Sequence, residues 1–562
     1  MRREVSVVNK KVCSFPILFA LLALLIGTCA VVFPASAQAA PTSTGSITVS
    51  GTVARSYDAF QIFSANVVDG DSDAKIATDL AWASDAARDA VLPVLHSAGM
   101  PNSQTTAQEA AEWLNTDSHL TSALSAQLAR SLQGSDAESV ALNAGTTAEL
   151  SCGYWLIVAD DAAIAEGEAG TAPIMVLVGG SAVTVKPKAA TPKVTKHVLE
   201  DSTAAWQKAA DATVGDDLYW RLSATVPAGL TAYDTYTVRF VDTMSAGLDS
   251  SKVVASMRVY VAVGTDGGFD AVSAGKDGRA GTEPAKGWTD ITAQCATKVA
   301  ADGTFTVRTG DLIAALGGAD AFTAGARVVA VYNAPLNSAC NRGIAKGNPN
   351  EVYLRYPRSP FADQSGDAGF TRTPSDDACA YTWDLALTKR GSDGDKPLAG
   401  AVLSIADDRG RTLSADGTWD AEGKATVTTG EDGRVTVSGV DSGKLEVREL
   451  KAPKGYTAFE GTRSVTVKAE GLDVDQVAAS KPKLTITAES PLRADSADGS
   501  TGSLEASLIN TPTGTPPSIT AGGFMPSTGD MAMYAAAAAA VAGAALIVVA
   551  LLVKRGGGSH KE

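Results

Sequence analysis

From Lys193 to Asn510 the chain is written in short runs whose apolar residues recur at every second position, punctuated by Gly, Asp and Pro. Residues two apart share one face of a strand, so runs of this kind require sheets with one face buried. Several stripes end on a polar residue of the same parity. Leu385 and Leu387 lead to Lys389, Leu445 and Val447 to Glu449, and Leu504, Ala506 and Leu508 to Asn510. Singly, each has a mundane reading: lysine snorkels, glutamate faces solvent at a strand end, and asparagine opens a turn. Buried without partners, all three would be costly. A second set repeats the device: Lys196 between Val194 and Val198, Asp242 after Val238 and Phe240, and Asn350 ahead of Val352 and Leu354, with Asn348 of the same parity as the alternative.

At 562 residues the chain is too long for one core, and several domains are expected. A net charge of −15 leaves no basic stripe for phosphate, which argues against a nucleic-acid partner. Arg2, Arg3, Lys10 and Lys11, an apolar run to Phe33 and the small residues up to Ala40 read as a secretory signal over residues 1–39. Four cysteines remain: Cys152, Cys295, Cys340 and Cys379. Outside the cell they can pair in three ways, and Cys295 with Cys340 is preferred because both fall in one domain. The histidines are scattered, and neither G-x-S-x-G nor H-E-x-x-H occurs. No enzyme, metal site or cofactor is expected. Asp69 to Asp73 is acidic but reads as a solvated turn.

Strands are expected at Gly45–Val53 and Tyr57–Phe63, followed by a helical insertion from about Ala74 to Gln133, then strands again to Val185. The segment 186–192 carries two prolines, which cannot donate to a ladder, and reads as an exposed hinge. Expected strands of the next domain include Leu218–Ala224, Tyr236–Val241, Val253–Val263, Ala326–Tyr332 and Val352–Tyr356. The expected division is 40–189, 190–376 and 377–511, then a linker and motif over 512–530. Residues 531–553 are uncharged, and as a helix would be about 34 Å long, enough to cross a bilayer. Lys554 and Arg555 open a basic tail, 554–562.

Met525-Pro526-Ser527-Thr528-Gly529, followed by the apolar span and basic stop, resembles the L-P-x-T-G cell-wall sorting signal read by sortases in Gram-positive bacteria. Met525 replaces Leu, a volume-conserving exchange. Glu449-Leu450-Lys451-Ala452-Pro453-Lys454-Gly455-Tyr456 resembles the E-box of Cna B-type domains in sortase-assembled pilins. Tyr332 to Asn337 and Gly347 to Asn350 resemble the end of the Cna A-like, fimbrial isopeptide-forming domain. Val183-Thr184-Val185-Lys186-Pro187-Lys188 resembles the pilin motif V-x-V-Y-P-K, with Lys186 for Tyr and Gly179 where that family has Trp.

The resemblance to a backbone (major) pilin implies a mainly β fold: tandem Ig-like, Cna-type sandwiches, an N-terminal β domain with a helical insertion, and a C-terminal transmembrane helix. It implies isopeptide bonds joining the first and last strands of two domains. Lys389 would bond Asn510 with Glu449 as the assisting acid, and Lys196 would bond Asn350 with Asp242 as the acid. Burial disfavours charge, which would leave a neutral, nucleophilic amine and a protonated carboxyl. Lys75, the only lysine between Ala40 and Val185, falls at the start of the helical part, so no such bond is expected there. The linking lysine would be Lys188, with Lys186 second. The implied partners are a sortase, identical subunits, minor pilins, peptidoglycan and an unidentified host receptor. The alternative is a monomeric wall-anchored adhesin for matrix or glycan, which needs no Lys188.

Overall fold

The computed structural model describes residues 43–51, 55–70, 74–116, 119–187, 191–227, 230–263, 287–319, 321, 325–479 and 481–514. The secretory signal, Lys188, the motif Met525–Gly529, the span 531–553 and the tail lie outside the described residues. Among those described, no helix is long and apolar enough to cross a membrane.

In the N-terminal domain the strand Thr44–Val49 lies between Thr147–Ser151, antiparallel, and Val183–Val185, parallel. A second sheet is built on the long strand Ser56–Asp69, flanked by Lys75–Trp82 and Gly153–Ala159. Three helices, Asp85–Ser97, Ala107–Asn115 and Ser122–Gln133, begin on the capping side chains of Ser84, Thr106 and Thr121. Thr106 and Glu109 form a reciprocal capping box. Buried helix residues such as Val91, Leu95 and Leu128 pack on Phe60, Ile62 and Leu156 of the sheet. The helical insertion therefore starts later than its Ala- and Asp-rich composition suggests. Lys75–Trp82 is a strand, because pairing to Ser56–Asp69 outweighs local propensity.

The middle domain is a sandwich. One sheet orders Ala205–Gln207, Lys193–Glu200, Tyr219–Val226, Ala326–Asn333, Arg258–Val263 and Thr289–Asp290. The facing sheet orders Ala209–Asp211, Asp376–Tyr381, Asn348–Pro357, Arg239–Met244, Thr304–Arg308 and Ala296–Val299, with Phe370–Arg372 also on Asn348–Pro357. Trp220, Leu222, Phe240, Val328, Tyr332, Val352 and Leu354 fill the space between. The strand expected at Val253–Val263 is shorter. The Asp249 side chain accepts from the Ser251 amide and starts a turn that runs on as the helical Val253–Ser256.

The strand Asp376–Tyr381 crosses the expected boundary at 376. Ala378 and Ala380 pack into the middle core, while Cys379 and Tyr381 pack into the C-terminal one. Alternation lets one strand serve two cores. Beyond it lies a second sandwich. Trp383–Gly391 runs parallel to Ser503–Pro512 in one sheet, with Arg434–Val440 on the outer side of the former. The opposite sheet centres on Val402–Ala406, Gly443–Lys451 and Thr462–Glu470.

Candidate functional site

In the C-terminal sandwich the parallel register sets Lys389 opposite Leu508 and Gly391 opposite Asn510, so Lys389 and Asn510 are neighbours in one sheet. Glu449 reaches them from the other sheet. Asn510 Nδ2 donates to Glu449 Oε1 at 2.9 Å and lies 3.0 Å from Oε2. Lys389 Nζ is 3.5 Å from Glu449 Oε1 and donates to the Leu508 carbonyl at 3.3 Å. The Phe459 amide fixes the carboxyl by donating to Oε2 at 3.1 Å. Both side chains of the Lys389–Glu449 pair are 0% exposed. Burial, partly offset by Glu449, brings the Lys389 amine down to about 8, so it gives up its proton far more readily than an ordinary lysine.

The middle domain uses the same residue types with different placement. Asp242 and Asn350 stand on adjacent strands of one sheet, where Met244 pairs with Asn350. Lys196 crosses from the facing sheet. Its amine donates to Asp242 and, at 2.9 Å, to the hydroxyl of Tyr332. That hydroxyl donates to Asp242 Oδ2 at 3.1 Å and accepts from Asn350 Nδ2 at 2.8 Å. Lys196, Asp242 and Asn350 are all fully buried. Burial lowers Lys196 to about 8 against the pull of Asp242, and it raises the Asp242 carboxyl. The rings of Trp220 and Tyr332 lie 5.5 and 5.4 Å from the amine. Asn348 is placed differently: it donates to Asn341 O and Ala380 O and accepts from the Asn341 amide. Of the two candidate asparagines, Asn350 therefore faces the lysine pocket.

In both pockets the carboxamide oxygen, Asn350 Oδ1 or Asn510 Oδ1, has no hydrogen-bond partner. An amine, a carboxyl and a carboxamide thus meet in a space closed to water. Amine attack at the carboxamide carbon is the reaction such a grouping supports. One expectation is corrected. Asn350 is not on the last strand of its domain, since Phe370–Arg372 and Asp376–Tyr381 follow it in the same sheet. Sequence reasoning also assigned no role to Tyr332. Its parity with Val328 and Ala330, on a strand antiparallel to Tyr219–Val226, was the available signal.

The expected disulfide is absent. Cys295 and Cys340 are free thiols with separate partners. Cys295 donates to the Ile291 carbonyl at 3.3 Å, and Cys340 Sγ accepts from the Arg342 guanidinium at 2.7 Å. Among the described residues no group of His, Cys, Asp or Glu could hold a metal ion. Lys186 is exposed just after Val183–Val185, while Lys188 is outside the described residues. Lys75, on its strand, donates to the carbonyls of Gly179 and Ser181 and has no carboxamide partner among the described residues.

Residues 384–481 match the family model "SpaA: Prealbumin-like fold domain". The chain is 30% identical over 143 residues to the trypsin-resistant surface T6 protein of Streptococcus pyogenes serotype M6; the match spans 24% of this chain and 24% of that protein's length. Among solved structures it is similar to the T6 backbone pilin of serotype M6 Streptococcus pyogenes: 16% identity, 84% of this chain, 98% of that chain, TM-score 0.46. It is similar too to the full-length major pilin SpaD of Corynebacterium diphtheriae: 15% identity, 84% of this chain, 100% of that chain, TM-score 0.42. The resemblance to Gram-positive backbone pilins is borne out, and residues 384–481, which supply Lys389 and Glu449, match the SpaA prealbumin-like fold domain.

Proposed function

We propose that the chain is the structural subunit of a covalently polymerised, wall-anchored pilus. A sortase would cleave between Thr528 and Gly529 and pass the Thr528 acyl group to Lys188 of the next subunit, or at the base of the fibre to peptidoglycan. The protein itself turns nothing over. Within each subunit, Lys196 and Asn350, and Lys389 and Asn510, form amide bonds once, each releasing one ammonia. Asp242 and Glu449 assist as acids. Adhesion of the assembled fibre to a host surface would be its use to the cell.

The observation that carries this reading is the pair of lysine pockets. A buried ammonium is costly even when a carboxyl pairs with it, and beside each pair lies a carboxamide whose oxygen has no partner. Conversion to a neutral amide removes the charge. A shaft joined head to tail also needs subunits that do not stretch, and a covalent tie inside each sandwich carries load past the strands between.

The test is twofold. An immunoblot of wall extracts should show a ladder of high-mass species. Intact mass of the folded chain, with thiols reduced, should fall short of the sequence mass by one ammonia per bond, two in all. A full-weight chain would remove the isopeptide reading. A single monomer band in the wall would favour the adhesin instead.

A further inference from the structure

The two pockets differ in how the carboxyl meets the two nitrogens. Glu449 touches both itself: Asn510 Nδ2 donates to it, and Lys389 Nζ is 3.5 Å from Oε1. Asp242, one methylene shorter, touches Lys196 but has no hydrogen bond to Asn350. The gap is spanned by one group, the Tyr332 hydroxyl, which contacts Lys196 Nζ, Asp242 Oδ2 and Asn350 Nδ2. Its ring is fully buried and held edge-on against Phe305, with centroids 4.8 Å apart. Among the described residues no other side chain hydrogen-bonds both reacting nitrogens.

We propose that Tyr332 is a catalytic residue of the middle-domain amide bond, carrying the proton that the lysine loses to the nitrogen that leaves. The proposal rests on the isopeptide reading above. The neutral amine of Lys196 attacks Asn350 Cγ, and the Nζ–Cγ bond forms as the C=O electrons move onto Oδ1. One Nζ proton passes to the Tyr332 oxygen while the Tyr332 hydroxyl proton passes to Nδ2. The C=O then re-forms, the Cγ–Nδ2 bond breaks, and ammonia departs. The tyrosine ends as it began, and the overall change is amine plus carboxamide to amide plus ammonia. Before the attack the hydroxyl donates to Asp242 Oδ2 and accepts from Nδ2; once Cγ is tetrahedral, Nδ2 gains a lone pair and the hydroxyl turns its proton to it. In the C-terminal pocket the two oxygens of Glu449 do both jobs, which explains why no hydroxyl is needed there.

The test follows cross-linking over time in the newly made full chain, by peptide mass spectrometry of the Lys196–Asn350 and Lys389–Asn510 products. Tyr332→Phe keeps the ring and removes the hydroxyl. It should slow the Lys196–Asn350 product roughly a hundredfold, the scale of one general acid–base group, and leave the Lys389–Asn510 product at its normal rate. Phe305→Leu disturbs the same packing but keeps the hydroxyl, and its Lys196–Asn350 product should form at close to the wild-type rate. Equal rates for wild type and Tyr332→Phe, or an equal loss in Phe305→Leu, would overturn the role of Tyr332. A wild-type chain lacking the Lys196–Asn350 product would instead overturn the isopeptide reading itself.

Discussion

The carboxamide nitrogen of Asn510 lies 2.9 and 3.0 Å from the two carboxyl oxygens of Glu449, although the two residues belong to opposite sheets of one sandwich. In the middle domain the acid and the asparagine share a sheet and the lysine crosses instead. A Lys196–Asn350 bond would therefore staple the two sheets together, whereas Lys389–Asn510 would tie two neighbouring strands.

Replacing Glu449 by Ala should stop the Lys389–Asn510 reaction. The variant should then fall short of its own sequence mass by one ammonia rather than two, and the melting temperature should fall. Closing a loop of roughly 100 residues restricts the unfolded chain by about 4–5 kcal/mol in the entropic account, which sets the upper scale of the loss. Calorimetry alongside intact mass checks it; a deficit still of two ammonias would show that the acid is dispensable.

Asn510→Ala leaves Lys389 nothing to attack, so its amine stays titratable. Burial holds that amine at about 8, against 10.5 for an ordinary lysine. Between those values the unfolded chain binds more protons than the folded one, so stability rises with pH across the window and its deficit is complete below it. The gain should be on the order of 3 kcal/mol, measured against wild type, whose Lys389 would be an amide on the proposed reading and would not titrate. Denaturant melts at about pH 8 and about pH 10 test this. Parallel pH curves for the two proteins would count against a free buried amine.

Lys188→Ala should abolish the ladder and leave monomer in the wall. If the ladder survives there but disappears in Lys186→Ala, the exposed Lys186 is the linking residue. On the proposed reading Thr528→Ala should prevent wall attachment altogether, because it alters the residue whose acyl group the sortase would take. Fractionation of wall and membrane, blotted for the chain, reads both.

Asp211 joins the middle and C-terminal domains. Its Oδ2 accepts from Trp383 Nε1 at 2.6 Å and from the Ser442 amide at 3.0 Å. In Asp211→Ala both donors lose a buried acceptor, at a cost of about 1–3 kcal/mol. Faster hydrogen exchange should appear at Trp383 and Ser442 while both lysine pockets keep their cross-links. Unchanged exchange would show that the joint does not depend on this contact.

Alternation along each strand decided which face every residue takes, so Lys389, Glu449, Asn510, Lys196, Asp242 and Asn350 could be placed on apolar faces by spacing, and only the family resemblance made them a reacting set. Parity cannot tell which sheet a strand joins or what lies across the gap. Only the tertiary structure separated Asn350, beside Tyr332, from Asn348, which is satisfied by Asn341 and Ala380. It alone kept Cys295 and Cys340 apart and made Lys75–Trp82 a strand despite its composition. It also brought the Tyr332 hydroxyl between the two nitrogens, because that contact depends on packing between sheets rather than on order along the chain.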